Sequence, residues 1–294
     1  MTLNQLIILT KIIELKSFSA AAEEVYITQS AVSHSISDLE SELGIKLIQR
    51  GKDGIYLTET GIKILKYANV IVENIERIRQ EVDFKAGQVR IGSFEGISIN
   101  LLPGIIRLFK LKYPKINIKI FEGTEDEIKD WILSRTIDMG FITFPCNCNS
   151  FETVHLISDD MVAVLPETHN LSNKKLVNFN QLVEYQIMIT WNSNCQILVK
   201  KAFKSFTGKL PQWKYKVSSI GTLLAMIKEG LGMAIMPRYA LPAYMPNVKI
   251  LPLEPVLKRR IGLASITPFS KLTPVASTFV ELTTEWIKNN IPAD

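Results

Sequence analysis

The chain has 294 residues, 47% of them hydrophobic and 21% charged, which is near the globular average and supplies material for two or three units of ordinary size. These totals exclude a mini-protein, wholesale disorder and a collagen-like or coiled-coil-only chain. No apolar run reaches the roughly 18 to 20 residues of a membrane helix, and Lys11, Glu14 and Lys16 interrupt the apolar start, so neither export nor insertion is expected. Cys146, Cys148 and Cys195, with only His34, His155 and His169 beside them, spell neither a disulfide framework nor a zinc site and suit a reducing cytoplasm.

The net charge of +5 is unevenly placed. Residues 1–61 carry five bases against eight acids, whereas residues 171–216 carry Lys174, Lys175, Lys200, Lys201, Lys204, Lys209, Lys214 and Lys216 against Glu184 alone. Bulk charge therefore does not mark which end meets nucleic acid, and the lysine cluster reads most simply as a solvated face.

Three short helical patterns open the chain. Ser19 is an expected N-cap, Ala20, Ala21 and Ala22 are small enough for close helix approach, and Thr28 is positioned to cap a helix that Gly44 ends. Within that helix Val32, Ile36, Leu39 and Leu43 make one apolar stripe. The opposite face carries Gln29, Ser30, Ser33, His34 and Ser37, short polar groups suited to base edges or phosphates in a major groove. Residues 45–57 read as two strands around Lys52-Asp53-Gly54, a hairpin signal, with Arg50 and Lys52 near its tip available to phosphates or the minor groove.

From residue 58 to 85 the spacing of Ile64, Ala68, Ile71, Ile75, Ile78 and Val82 predicts a long helix with a heptad seam, which two copies would bury in a dimer. Beyond Gly87 strands and helices alternate. Strands are expected at 88–92, 116–121 and 138–142 with helices at 98–112 and 126–134; the order repeats with strands at 186–190, 213–217 and 232–236 and helices through 200–206 and 223–228. Short strands at 161–165 and 261–265 are expected to cross between the two α/β units, leaving a hinge and a cleft that can hold a small molecule.

The first sixty residues resemble the winged helix-turn-helix of LysR-type transcriptional regulators. The likeness rests on the alanine-rich helix, Thr28-Gln29-Ser30-Ala31-Val32-Ser33, Leu39-Glu40, Leu43-Gly44, Arg50 and Leu57-Thr58-Glu59-Thr60-Gly61. The later half is similar to the same family's effector-binding domain, itself akin to type 2 periplasmic binding proteins, through Leu101-Leu102-Pro103, Asp138, Pro166 with His169, and Gly230-Leu231-Gly232 leading to Met236-Pro237.

The resemblance implies a winged domain at 1–60, a linker and dimerisation helix at 61–87, and an α/β two-lobe effector domain at 88–294, with lobe 1 about 88–162 and 267–294 and lobe 2 about 163–266. It implies a cytoplasmic regulator, not an enzyme, that needs no cofactor. Such a regulator binds double-stranded operator DNA as a homodimer assembling to a homotetramer, answers to a small effector, and acts with RNA polymerase. Thr28 joins the polar face of its helix as a DNA-contact position. Effector-contact positions carried over are Phe94, Glu95, Gly96, Ser98, Thr143, Ser193, Asn194 and Ser219. Helix N-termini make an anion the default guest.

Two departures bear on that guest. Phe94 and Gly96 stand where many members have hydroxyl residues, and Glu95 adds a negative charge. If Glu95 faces the cleft it opposes a simple anion and favours an amine-bearing ligand or a cation; if it faces solvent it has no such role. The alternative function is a constitutive DNA-binding regulator, either sensing redox or metal through Cys146 and Cys148 or binding no ligand at all. His155 and His169 have no catalytic neighbours and are expected to be structural.

Overall fold

The computed structural model describes residues 1–51, 54–82, 87–146, 150–190, 194–242 and 244–291. Three helices, α1 (Leu3–Leu15), α2 (Phe18–Glu24) and α3 (Gln29–Leu43), precede a two-stranded hairpin, β1 (Ile48–Gly51) and β2 (Gly54–Leu57), and the long α4 (Glu59–Val82). Thr2 and Gln5 form a capping box on α1. Thr28 caps α3 by accepting from the Ala31 amide at 3.2 Å, and Gly44 closes it in the left-handed region at φ +67°. The cap of α2 is Ser17, not Ser19. Ser17 has the extended backbone a cap requires and accepts from the Ala20 amide, so the helix starts two residues earlier and Ser19 lies inside it.

Leu9, Ile12, Ala21, Val32, Leu39 and Leu47 form the core of this unit, and Leu65 of α4 packs into it. A buried carboxylate stitches α3 to the wing: Glu40 accepts from the Leu47 and Ile48 amides at 2.8 and 3.1 Å and from Lys46 Nζ at 2.6 Å. Burial pushes this carboxyl up, but the Lys46 ammonium and the two amides outweigh it and hold it below the ordinary carboxylate range.

The remaining elements build two α/β lobes on one continuous sheet. They are β3 (Gln88–Ser93), α5 (Glu95–Asn100), α6 (Leu102–Lys112), β4 (Asn117–Glu122), α7 (Glu125–Leu133), β5 (Met139–Phe144), β6 (Glu152–Pro166), β7 (Val177–Asn178), α8 (Phe179–Leu182), β8 (Gln186–Thr190), α9 (Asn194–Thr207), β9 (Gln212–Val217), α10 (Ile220–Lys228), β10 (Met233–Pro237), β11 (Val248–Ser265) and α11 (Pro274–Asn290). The strand order is β4-β3-β5-β11-β6-β10-β8-β9, with β7 pairing off β11. The expected helix at 98–112 is two helices broken at Leu101, because Pro103 lacks an amide proton and fits only a first turn.

The crossing strands are far longer than expected, 15 residues in β6 and 18 in β11, and they pair antiparallel from Val248↔Pro166 to Ser265↔Glu152 with register shifts between Pro252 and Leu257 and between Ile261 and Gly262. β5 joins β11 on the lobe 1 side and β10 joins β6 on the lobe 2 side, so this pair connects the lobes. Lobe 1 packs around Ile91, Phe109, Phe141 and Phe279, the last brought back by α11; lobe 2 packs around Phe179, Phe203 and Met233 on one face of the sheet and Met188, Leu223 and Ile227 on the other.

Lobe 1 docks on the N-terminal unit through charge. Lys119 of β4 reaches Glu14 of α1 at 3.0 Å and Glu24 of α2 at 3.2 Å, and Arg135 reaches Glu73 of α4 at 2.9 Å. Burial raises Glu14, but Lys11 and Lys119 bring its carboxyl below the ordinary value.

Candidate DNA-reading surface and effector cleft

The buried stripe of α3, Val32, Ile36 and Leu39, turns the opposite face outward. Gln29, Ser30, His34 and Ser37 are exposed and Ser33 is half-buried. Several of these groups are already oriented. Thr28 Oγ1 lies 2.9 Å from Ser30 Oγ, Gln29 Oε1 accepts from Ser19 Oγ at 3.1 Å, and His34 Nδ1 lies 2.9 Å from Asp38 Oδ2, which holds the imidazole by its inner nitrogen. Tyr26, at the turn leading into α3, is almost fully exposed and has φ +58°, an uncommon conformation for a bulky residue. In the wing Arg50 pairs with Ile55 across the hairpin, and Lys52 lies outside the described residues.

The seam on α4 divides. Ala68 is buried and Ile64 packs half-buried against the N-terminal core. Ile71, Ile78 and Val82 are exposed, together with Tyr67, while Ile75 is half-buried. Exposed apolar side chains at these spacings on one helix suit a second helix rather than water.

Between the lobes lies a cavity of about 520 Å³. Two glutamates of lobe 1 span it. Glu95, in the first turn of α5, accepts from the Ile220 amide at 3.0 Å and from Ser219 Oγ at 3.3 Å, at the N-terminus of α10. Glu125, in the first turn of α7, accepts from Thr143 N at 3.1 Å, Thr143 Oγ1 at 2.6 Å and Asn194 Nδ2 at 2.6 Å, the last at the start of α9. Each carboxylate of lobe 1 thus reaches a helix N-terminus of lobe 2, where backbone amides and the helix dipole favour negative charge.

The floor of the cavity is Arg259 of β11. Its Nη2 bonds Asp159 Oδ2 of β6 at 2.7 Å, its Nη1 lies 3.6 Å from Cys195 Sγ, and its guanidinium stands 5.4 Å from the ring centre of Phe94. Asp159 also accepts from the Tyr239 amide at 3.0 Å. Burial pushes Asp159 up against the pull of Arg259, and it pushes the Cys195 thiol up as well, with Arg259 again opposing. Among the described residues Arg259 Nε has no hydrogen-bond partner.

Of the expected effector positions, Phe94, Glu95, Gly96 and Asn194 line this cavity. Thr143 stands behind it, holding Glu125, and Ser219 does the same for Glu95 while capping α10. Ser98 is not part of the lining, and Ser193 lies outside the described residues. Sequence reasoning missed Glu125, Arg259 and Asp159. A usable signal was present for the last two: in Lys258-Arg259-Arg260 and Asp159-Asp160, strand alternation sends one charge of each run inward. Cys146 packs at the edge of the lobe 1 core and Cys148 lies outside the described residues. His169 accepts from the Leu171 amide and lies against Tyr185, burial pushing its pKa down, and His155 is exposed near Phe144.

A winged helix-turn-helix, a long helix and a two-lobe cleft domain in this order define a ligand-responsive DNA-binding protein. Residues 3–62 match the bacterial regulatory helix-turn-helix protein family of lysR type, and residues 83–288 match the LysR substrate binding domain family. The HTH-type transcriptional regulator YvbU of Bacillus subtilis is 33% identical over 293 residues, covering 97% of this chain and 98% of that protein. Among solved structures, a full-length OxyR variant from Pseudomonas aeruginosa superposes with a TM-score of 0.79 at 22% identity, covering 98% of this chain and 95% of that one. CbnR in complex with its target DNA superposes with a TM-score of 0.66 at 20% identity over 97% of this chain and all of that one.

The chain belongs to the LysR family of transcriptional regulators. It is a DNA-binding regulator with an effector-binding domain, not an enzyme. Among the described residues no helix is long and apolar enough to cross a membrane.

Proposed function

We propose that the chain, acting in the cytoplasm, reads an operator through α3 and its wing and changes its grip on DNA when a small molecule enters the inter-lobe cavity. Gln29, Ser30, Ser33, His34 and Ser37 meet base edges or phosphates, Thr28 sets the helix start, and Arg50 and Lys52 hold the wing to the backbone. The division of labour is 1–60 for DNA, 61–87 for pairing and 88–294 for the effector. Two chains pair along Ile71, Ile75, Ile78 and Val82, so that two recognition helices face two half-sites, and two dimers assemble into a tetramer.

The observation that carries this reading is the pair of bridges from Glu95 and Glu125 of lobe 1 to Ser219, Ile220 and Asn194 of lobe 2. A ligand that competes with or reinforces these bridges has different affinity for open and closed lobes, which is what a population shift requires. Closure alters how the subunits pack, and with that the bend of the DNA and its access to RNA polymerase.

The test is a gel-shift titration of the full-length protein on its own upstream intergenic DNA, with scrambled DNA at matched salt as control. Specific binding is expected, and the double substitution Ser33→Ala with His34→Ala is expected to abolish it without lowering thermal stability. Binding that stays equal on both DNAs under every metabolite condition overturns the reading. Specific binding that no ligand changes supports the constitutive regulator instead.

A further inference from the structure

The two helix N-termini that face the cavity from lobe 2 are places where an anionic guest finds donors, and at each of them one of the chain's own carboxylates already holds a donor. Glu95 holds the Ile220 amide and Ser219, and Glu125 holds Asn194. Glu122 and Glu127 stand on the same wall. A simple carboxylate entering here meets acids, and in a partly desolvated cleft like charges repel strongly. The acidic wall calls for a cation.

An independent feature is a buried cation on the same lining. Arg259 lines the same cavity, is only 6% exposed, and commits its Nη2 to Asp159, while its Nε has no acceptor among the described residues. Buried donors are nearly always satisfied, and a guanidinium fork matches a carboxylate in two parallel bonds. A lone cation satisfies the glutamates and leaves this donor without a partner; a lone anion satisfies the arginine and faces the glutamates. Ile99, Ile235 and Met236 add apolar surface to the same lining.

We infer that the cleft takes a zwitterion of amino-acid type, its ammonium against Glu95 and Glu125, its carboxylate at Arg259, and its carbon skeleton on the apolar part of the lining. This rests on the cleft being the effector site. A volume of about 520 Å³ accommodates such a molecule.

The experiment uses full-length protein in thermal melts and calorimetric titration with three matched sets of probes: free amino acids, the amines left by removing their carboxyl groups, and the acids left by removing their amino groups, each to about 10 mM. At least one amino acid is expected to raise Tm and to bind about tenfold or more tightly than either of its singly charged counterparts. Glu125→Gln and Glu95→Gln are each expected to weaken it about tenfold, and Arg259→Lys, which keeps the charge opposite Asp159, to do so as well. Binding of acids or amines at least as tight as that of amino acids overturns the assignment, as does a failure of every amino acid to bind. The gel shift separates this from the wider reading. Operator binding that responds to a simple acid and to no amino acid removes the zwitterion and leaves the regulator intact, whereas absence of operator binding under every condition strikes the regulator reading itself.

Discussion

Asp159 and Arg259 stand directly opposite one another on the two strands that connect the lobes, one hundred residues apart in the chain and 2.7 Å apart in space, both buried. Their flanking neighbours Lys258 and Asp160 point the other way and remain largely exposed, 3.9 Å apart. The buried ion pair therefore ties β6 to β11 where the two strands join the lobes, and the arginine of the pair lines the cavity. A buried pair gains little over a hydrophobic one, but removing one partner leaves an uncompensated charge.

Arg259→Ala is accordingly expected to cost about 3 to 5 kcal/mol in urea or thermal unfolding, because Asp159 is left buried with backbone amides but no cation to balance its charge. The double substitution Asp159→Leu with Arg259→Met is expected to recover most of that loss. A double variant as unstable as the single one would show that the strands need the pair itself.

Glu40 provides a pH test. Its carboxyl lies below its ordinary value of 4.5, held there by Lys46 and the two wing amides against the opposing effect of burial. Because the folded pKa is the lower one, its stabilisation is fully present above the unfolded pKa and is lost as pH falls through the folded pKa. Glu40→Gln is expected to lower stability at neutral pH by about 1 to 3 kcal/mol, and the gap to the parent protein is expected to shrink on acidification. Unfolding curves at a series of pH values read this directly, and a gap that widens toward acid contradicts it.

The exposed part of α4 predicts an oligomerisation variant. Ile78→Glu, at a side chain 66% exposed, is expected to reduce the assembly to monomers in light scattering while leaving Tm nearly unchanged. Ala68→Glu, only 1% exposed, is expected to destabilise the fold instead. Equal behaviour of the two variants would contradict the division of the seam into inward and outward residues.

Gly61 lies in the first turn of α4, where a Cβ would run into the Leu47 carbonyl oxygen. Thr58 Oγ1 ties the same corner by donating to the Lys46 carbonyl at 2.7 Å and accepting from the Gly61 amide at 2.9 Å. Gly61→Ala is expected to destabilise the N-terminal unit by about 1 to 3 kcal/mol despite the better helix propensity of alanine. Circular dichroism melts of the full chain would show it, and an unchanged or higher Tm would mean that the corner yields.

Local chemistry made much of this protein legible from its sequence. Thr28 and Gly44 bound α3, the stripe of Val32, Ile36 and Leu39 turns its polar face outward, and the alternation of strands and helices after Gly87 announces two α/β lobes. Each of these depends on residues within a few positions of one another, where caps, periodicity and turn preferences act. Ser17 and Ser19 show the limit even there, since both are sound caps and the packing of Phe18 and Ala21 selects between them.

Tertiary structure alone decided the rest. The crossing strands looked short because Asp159-Asp160 and Lys258-Arg259-Arg260 interrupt their apolar runs, and only the antiparallel pairing shows that these charges satisfy one another. Ile64 and Ala68 share a heptad pattern with Ile71 and Ile78, yet the fold half-buries the first and buries the second within the chain and leaves the others exposed. Glu95 admitted either solvent or cleft, and the answer depends on where a helix 125 residues further along the chain is brought. Sequence specifies such partners only through the fold, because a charge or an apolar side chain constrains what must meet it but not which distant segment arrives.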